Sequence, residues 1–551
     1  MTETKGITTA DAPTALAGSF RRVVREHRGA CVVVAGFALS RIALAAVAGL
    51  EFDVRPLNDG LQVLDRGELR ENLLSSLAHM HAQPPLYNLF VGIGLHAPLW
   101  LETPLFHAAY LAIGLALALC LYAILRRVGV GTTVAVVVTL GFTWSPSVFL
   151  YESWMHYDYP LVLLLVLAVL ALLRYERSGA AVDAGVFLSI VAAVVLTRSL
   201  FHLGWLLVWA VVVFVRRDGP GWRRLTAAVA VPVLVVVGLH AQRLVAFGAP
   251  SLSSALGISL AKVTTFQLPE IERRQLVADG RLSALALVEP LSPAAAYHGL
   301  VPMPEQTGIP VLDEEQKGIY TRPDTENEFF RTNTNASIFL EISERNLEDA
   351  LYTIRERPDA YVQGLKTASE IFFRPTSDFF TLERNRQKVY WLDRFYNHVV
   401  FGVVDRGNPP GGLPQASVRY TQGPARTAWF VLGAYGFVFA AGALTLLNGA
   451  RRRRDRTGPP LLVVGFLWLS TVYVVVVSNA FEVGENNRFR LYSDPLVLAL
   501  LALLVVRWRD NRRGRGGDAA GEAAPNESAA EPGARSEVAA VPVEGRDGAS
   551  R

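Results

Sequence analysis

Long apolar runs separated by short charged segments dominate the hydropathy pattern of the chain. Runs such as "ACVVVAGFALSRIALAAVAGL" (residues 30–50) and "LTAAVAVPVLVVVGLHA" (225–241) carry few or no charges. About 20 mostly apolar residues are needed to cross a bilayer as a helix, so the runs predict an α-helical polytopic membrane protein. We predict about ten transmembrane helices, near residues 30–50, 104–125, 131–149, 160–174, 181–197, 201–215, 225–245, 427–448, 460–478 and 495–508.

Clusters of basic residues interrupt this pattern and predict the topology. They lie at residues 21–28, 125–129, 173–177, 216–224, 451–456 and 507–515. Cytoplasmic loops carry an excess of Lys and Arg, and the ten-helix scheme puts all six clusters on one side. The sequence therefore predicts a multi-pass protein of the plasma (inner) membrane with both termini in the cytoplasm. The segments on the external or periplasmic face are then 51–103, 151–159, 246–426 and 479–494.

A long polar insertion divides the apolar pattern into two modules. Residues 246–426 are polar and long enough to form one inserted external soluble domain. The predicted order is a cytoplasmic N-terminal segment, 1–29; a transmembrane module of helices 1–7, 30–245, with a catalytic external loop, 51–103; the soluble domain, 246–426; a transmembrane module of helices 8–10, 427–508; and a disordered cytoplasmic tail, 509–551.

The stretch "PPLYNLFVGIGLHAPLW" (84–100) is apolar but too short to span comfortably. Counting it as a crossing would also move the basic residues 125–129 to the opposite side. We therefore predict a helix that lies in the membrane interface, with Tyr87 and Trp100 as anchors at headgroup level.

Composition excludes several kinds of site. The chain has 551 residues and a net charge of +4, but its Arg clusters adjoin apolar runs, which indicates topology rather than a nucleic-acid surface. Cys31 and Cys120 lie inside apolar runs, so no disulfide framework or cysteine metal site is expected. His79 and His81 are two residues apart, a spacing that separates side chains on a helix or a strand. No cofactor is required by these residues, and dependence on a divalent metal stays open.

Ionisable residues are concentrated in three external stretches that adjoin the membrane. The principal candidates are Asp59, Asp65 and His81 in residues 51–103, His156 and Asp158 in "YESWMHYDYP" (151–160), and Arg488 and Arg490 in "EVGENNRFRLYSDP" (482–495). A carboxylate at this depth could deprotonate an acceptor hydroxyl group. Arginines at the same depth could hold a lipid phosphate through bidentate hydrogen bonds, which would place a sugar carried on that phosphate between the two groups.

Arg488 and Arg490 flank Phe489 just before the last predicted helix. Side chains of an extended segment alternate with a period of two, so both guanidinium groups would lie on one face and reach one phosphate. The alternative is ordinary pairing with Glu482, Glu485 or lipid headgroups.

Arg41 lies about ten residues into the first predicted helix, where a charge costs about 2.5–3.5 kcal/mol on insertion scales. Two interpretations are open. Arg41 is either the buried partner of an acid on a neighbouring helix or a contact to a lipid phosphate.

Taken in order, these stretches resemble the GT-C class of membrane glycosyltransferases, which includes protein mannosyltransferases and aminoarabinose transferases of lipid A that use polyprenyl-phosphate sugars. The resemblance rests on "LNDG", on a His-Pro-Pro-Leu-Tyr type motif around His81 and Tyr87, on "HYDYPLVLLL" and on "NRFRLYSDPLVLALLALL". It does not cover residues 246–424. It implies that Asp59 is the catalytic base, with Asp158 and Asp65 as further catalytic candidates. The implied substrate-binding residues are His81, Tyr87, Arg41, His156, Arg488 and Arg490.

The resemblance implies an inverting glycosyltransferase of the outer face that uses a polyprenyl-phosphate sugar donor. The acceptor would be a cell-wall polysaccharide, a glycolipid or a protein of the envelope, and the Arg-over-Lys bias suggests a bacterial genome rich in GC. The alternative function is a transporter or flippase of lipid-linked sugars, although the two halves of the chain look dissimilar. A non-catalytic assembly or sensor protein ranks last because it leaves the ordered acidic and Arg stretches without a role.

Overall fold

The computed structural model describes residues 27–215, 222–319, 331–405, 426–451 and 461–522. Most of these residues are helical. Contacts divide the chain into a large unit, Met1–Val506, and a small one, Arg507–Arg551, of which the described part is the end of the last helix. The predicted segment 1–29 is described from residue 27 on, and parts of the basic clusters at 21–28, 216–224 and 451–456 lie outside the described residues.

The helices before residue 248 alternate between long apolar segments and short connecting ones. They are α1 (Arg28–Ala46), α2 (Pro56–Asp59), α3 (Arg66–Glu71), α4 (Leu73–Ala78), α5 (Leu86–Leu95), α6 (Leu99–Arg127), α7 (Thr132–Thr143), α8 (Pro146–Glu152), α9 (Asp158–Ser178), α10 (Ala181–Thr197), α11 (Leu203–Val215) and α12 (Trp222–Phe247).

Residues 248–428, which we call the inserted segment, contain shorter helices and one small antiparallel sheet. The α-helices are α13 (Leu256–Val263), α14 (Glu270–Ala278), α15 (Pro310–Asp313), α16 (Ile338–Glu356), α17 (Pro358–Phe372), α18 (Glu383–Lys388) and α19 (Tyr390–Phe395). Short 3₁₀ turns lie at Thr265–Gln267, Ala284–Leu287, Ala294–Tyr297, Thr376–Asp378 and Phe380–Leu382, and a π-turn at Tyr396–Val400. The strands are β1 (Val403–Asp405) and β2 (Arg426–Ala428), with Val404 opposite Thr427.

Three helices complete the described chain: α20 (Trp429–Arg451), α21 (Leu461–Phe481) and α22 (Asn486–Glu522). Among the described residues, seven helices are long and apolar enough to cross a membrane, or eight if the bent pair α7–α8 is one crossing. The prediction of a helical polytopic membrane protein is therefore confirmed. The exact number of crossings and the soluble domain stay predictions.

Each predicted transmembrane segment is helical, but some boundaries differ. The predicted helix 131–149 is bent by 60° between α7 and α8, because Pro146 starts a new helix at its first position. The last helix begins at Asn486 rather than near 495, with Pro495 inside it, and continues to Glu522. A proline lacks one N–H donor but does not prevent a long helix from continuing around it.

The predicted interfacial helix 84–100 is divided into α5 and the first residues of α6, because Pro98 separates them. Tyr87 is buried and lies within hydrogen-bond distance of Tyr110, with 3.1 Å between the hydroxyl oxygens. Because the side chain is enclosed by protein, Tyr87 is not an exposed anchor that contacts lipid headgroups. Trp100 remains 77% exposed.

The central helix of the large unit is α9, which packs against α6, α10 and α21 in one continuous apolar core. The inserted segment lies directly on this core, because α13 and α17 both contact α21. This arrangement brings side chains of the inserted segment to the loops that follow α1 and α8 and precede α22.

Candidate active site

A cavity of about 390 Å³ lies where the inserted segment meets the loops of the first module. Its walls come from residues 53–62, from Trp154 and His156, from α13, and from the loop before α22. We call it the main cavity. Of the nine sequence-predicted site residues, it brings together Asp59, His156 and Arg488. The six others, which do not line it, are Asp65, Asp158, His81, Tyr87, Arg41 and Arg490.

Asp59 is the last residue of α2, a single turn that starts with Pro56. The chain can turn sharply after Asp59 because Gly60 follows, and a Cβ there would lie 2.5 Å from the Pro56 carbonyl oxygen. Burial raises the pKa of the half-buried Asp59 carboxyl, although the positive charges of Lys317 and Arg55 partly oppose that rise. A carboxylate with a raised pKa is a better proton acceptor than an exposed one.

Asp65, the competing catalytic candidate, has a structural role. It is the N-cap of α3 and accepts hydrogen bonds from the backbone N–H groups of Gly67 and Glu68, at 2.7 and 3.1 Å. A third backbone N–H, that of Gly318, donates to its other oxygen at 2.7 Å. Asp65 is buried and does not line the main cavity.

Asp158 is fully buried behind His156, which itself lines the main cavity. The Nδ1 atom of His156 is 2.9 Å from the Asp158 carboxylate, and Tyr492 donates to the same carboxylate. The ring of Trp154 stacks on the His156 ring, with 4.2 Å between the centroids. Burial lowers the pKa of His156, so its imidazole is neutral at pH 7. Asp158 thus orients a neutral histidine in the cavity wall.

Arg488 and Arg490 have different surroundings. Arg488 lines the main cavity, donates to Glu485 at 2.6 Å and lies 3.5 Å from the Asp158 carboxylate. Arg490 donates to the carbonyl of Arg374 and to the Thr376 hydroxyl, both at 2.6 Å.

The prediction that Arg488 and Arg490 share one face of an extended segment is wrong. Both residues belong to α22, and side chains two residues apart on a helix diverge. They therefore cannot hold one phosphate together.

Arg198 was not among the sequence candidates, yet it lies in the wall of the main cavity. It follows α10 and is buried, with its guanidinium over the rings of Tyr157 and Phe489 at 4.9 and 5.3 Å. Its buried Nε has no hydrogen-bond partner among the described residues. One feature of the sequence marks Arg198. It is a single Arg at the end of an apolar run, on the predicted external side, where the topology scheme expects few positive charges.

A second cavity, of about 380 Å³, adjoins the main cavity. The two share Gln83, Arg198, Ala255, Ser259 and Glu482. Apart from the shared Arg198 and Glu482, no Asp, Glu, Lys or Arg side chain of the described residues lines the second cavity. Its walls come from the ends of α10 and α11, from α12, α21 and α22, and from residues 250–256. They combine serine hydroxyls and the rings of His202 and His240 with apolar side chains that include Phe201, Phe481 and Phe489.

Besides Arg490, three predicted binding residues lie outside both cavities. Arg41 forms a bidentate pair with Glu152, at 2.7 and 2.8 Å, which is the buried-partner alternative for this residue. His81 is buried beside Ser254, with 2.8 Å from its Nδ1 to the hydroxyl, and burial lowers its pKa to about 4. Tyr87 is enclosed against Tyr110, as described above.

The described residues contain no group of three His, Cys, Asp or Glu side chains arranged to hold a metal ion. In comparisons with known proteins, no family model, no curated protein and no solved structure matches the chain. The geometry of the two cavities is therefore the basis for any functional conclusion.

Proposed function

We propose that the protein is a membrane glycosyltransferase that transfers a sugar from a polyprenyl-phosphate donor to an acceptor of the cell envelope. The observation that carries this proposal is the position of Arg198. A buried guanidinium whose Nε has no partner among the described residues lies in the shared wall of two cavities, one lined by many charged side chains and one whose unshared walls carry no Asp, Glu, Lys or Arg. A sugar joined through a phosphate to a long apolar chain has the same order of chemical groups.

The positive charge at this junction suits an anion. Arg488 lines the main cavity near Arg198, and both lie near the ring of Tyr157. Arginines bind phosphate oxygens through charge-assisted hydrogen bonds. In the proposed complex the phosphate lies at Arg198 and Arg488, the sugar occupies the main cavity, and the prenyl chain occupies the second cavity.

The proposed reaction is a single displacement with inversion at the anomeric carbon. The acceptor hydroxyl transfers its proton to the Asp59 carboxylate, and its oxygen forms the new bond to the anomeric carbon. The bond between that carbon and the phosphate oxygen breaks, and the electron pair leaves with the lipid phosphate. Arg198 and Arg488 stabilise the charge that develops on this leaving group. His156, held by Asp158, is placed to hydrogen-bond a sugar hydroxyl.

We further propose the outer-face topology described for the sequence. The bent pair is the eighth candidate crossing, and two of the three shorter apolar helices, Ala181–Thr197 and Leu203–Val215, bring the number to ten. Ten crossings keep both termini on the cytoplasmic side and make residues 248–428 an external domain. The exposed Ala278 would then be external and the exposed Thr133 cytoplasmic.

Thiol labelling tests this topology. In a background without Cys31 and Cys120, Ala278→Cys should react with an impermeant reagent on intact cells or spheroplasts, and Thr133→Cys only after lysis. The reverse pattern would contradict an outer-face site.

A transfer assay tests the activity. Purified protein in lipid nanodiscs is incubated with radiolabelled polyprenyl-phosphate sugars and envelope acceptors. We expect label on the acceptor and an equal amount of free polyprenyl phosphate. If sealed vesicles instead show label crossing the bilayer while it stays on the lipid, the protein is a flippase and the proposal fails.

A further inference from the structure

Two side chains of the inserted segment hold the backbone directly after Asp59. The Lys317 ammonium donates to the Gly60 carbonyl at 2.5 Å, and the Thr334 hydroxyl donates to the Leu61 carbonyl at 2.7 Å. Lys317 is buried, and Thr334 also lines the main cavity. The turn that carries Asp59 is therefore fixed from the side of the inserted segment.

Asn335 holds the far end of the same loop. Its side-chain oxygen accepts from the backbone N–H groups of His81 and Ala82, at 2.6 and 3.0 Å. Its side-chain nitrogen donates to the carbonyls of His79 and Val311, both at 3.1 Å. One buried amide thus forms hydrogen bonds with three backbone groups of the loop and with one backbone group of the inserted segment. Buried backbone groups need such partners, and the Asn335 side chain supplies them here.

A second part of the inserted segment holds the opposite side of residues 81–82. The Ser254 N–H donates to the His81 carbonyl at 2.9 Å, and the Ser253 hydroxyl donates to the Ala82 carbonyl at 2.7 Å. The polar backbone groups of this bend are therefore paired on both sides. A buried loop held in this way keeps one conformation because each released group would be left unsatisfied.

Lys317 also brings a positive charge to Asp59. The charged groups that face Asp59 are Lys317, Arg55 and Asp53, and those that face Lys317 are Asp59 and Asp65. Burial lowers the pKa of Lys317 to about 8, so the ammonium is charged at pH 5–7. Lys317 therefore favours the ionised form of Asp59 in that range.

We propose that the inserted segment is the positioning element of the Asp59 loop, with Lys317 as the positive charge beside Asp59 and Asn335 as the clamp on the backbone of residues 79–82. The kinetic test of this inference rests on the proposed function, because it measures sugar transfer. The structural test does not depend on the proposed function. It assigns a role to the part of the chain that the resemblance to GT-C enzymes leaves uncovered.

Hydrogen–deuterium exchange of the intact protein in nanodiscs is the structural test. Asn335→Ala should make the amides of His81 and Ala82 exchange at least about tenfold faster, because each loses its acceptor. Thr334→Val, which keeps the side-chain shape, should accelerate exchange around residues 60–64 even if Asn335→Ala does not fold. The matched control is Thr367→Val, since the Thr367 hydroxyl donates to the Gln363 carbonyl within its own helix.

The pH dependence of transfer is the kinetic test. Asp59 must be ionised to accept a proton, so activity falls as pH drops through its pKa. Removing the Lys317 charge raises that pKa further, and Lys317→Met should move the acidic limb of the kcat/KM profile upward by about one pH unit. Lys317→Arg keeps the charge and should restore the wild-type limb. If Lys317 has only a structural role, Lys317→Met lowers activity but does not move the acidic limb of the kcat/KM profile.

The outcomes separate the two ideas. Unchanged exchange in both Asn335→Ala and Thr334→Val overturns the positioning role, whether or not the protein transfers sugar. An unmoved acidic limb in an active Lys317→Met variant overturns the role of the charge. Absence of transfer by the wild-type protein overturns the proposed function and leaves the exchange result to decide the clamp.

Discussion

The two cavities have nearly equal volumes, about 390 and 380 Å³, but their walls differ in chemistry. The main cavity presents Asp59, His156 and a set of further charged side chains, whereas the second has, within the described part of the chain, no Asp, Glu, Lys or Arg apart from the shared Arg198 and Glu482. Arg198 belongs to both. Under the proposed function, the donor sugar occupies the cavity rich in charged side chains, the phosphate lies at Arg198, and the prenyl chain occupies the cavity with few charges. Variants in each region should therefore change different steps.

The largest effect is expected in the main cavity. Asp59→Asn removes the proposed base and should lower the transfer rate by about 100- to 10,000-fold, while donor binding stays near wild type. Asp359→Asn is the control, because its carboxylate is exposed on α17. If Asp59→Asn keeps more than about a third of wild-type turnover, Asp59 is not the base.

Substitution of Arg198, in the wall that the two cavities share, should give the next largest effect. Arg198→Gln removes charge-assisted hydrogen bonds to the donor phosphate, each worth about 1.5–3 kcal/mol, so kcat/KM for the donor should fall by about 10- to 150-fold. The dependence on acceptor concentration should change little. Arg274→Gln, on the exposed face of α14, is the control because it removes one positive charge away from both cavities. Normal donor kinetics in Arg198→Gln would show that Arg198 does not bind the donor phosphate.

A smaller and more selective effect is expected in the second cavity. Gly204 lines it, and a Cβ there would meet no atom within 4 Å, so this position accepts a side chain and Gly204→Phe adds a ring at the cavity wall. The KM for a long-chain donor should rise by about tenfold, while a short-chain, water-soluble donor should be unaffected. Gly238→Phe also enters open space but lies outside the cavity. Equal effects on both donors would contradict the chain-binding role.

The smallest kinetic effect is expected outside both cavities. The Arg490 guanidinium donates to groups of the protein, so Arg490→Lys should destabilise the fold by about 1–3 kcal/mol. Transfer per folded molecule should change by less than about threefold. Thermal melting and single-turnover rates measured on the same sample separate the two effects. A large change in donor saturation would show that Arg490 contacts substrate after all.

The helices could be predicted from the sequence because a spanning segment must be continuously apolar and satisfy its own backbone groups. Asp59, His156 and Arg488 could be found for a related reason, since charged residues beside apolar runs are conspicuous. Arg198 and Lys317 could not. Their positions depend on which loops the fold brings together. Lys317 lies among other charged residues, and Arg198 is marked in the sequence only by its place at the end of an apolar run.

The candidates that do not line the main cavity are engaged by the protein itself. Arg490 and Asp65 carry suitable groups, but the first lies on a helix that turns it away from the cavity and the second is used as a helix cap. Arg41 is satisfied by Glu152. Residue type alone does not distinguish a side chain that meets a ligand from one that meets the protein, because both need the same hydrogen-bonding groups.

A structure of the protein in nanodiscs with a bound polyprenyl phosphate would test the central claim most directly. We expect the phosphate within hydrogen-bond distance of the Arg198 guanidinium and close to Arg488, with the prenyl chain in the second cavity beside Gly204 and Phe481. A phosphate bound away from Arg198, or a chain that leaves the second cavity empty, would contradict the account.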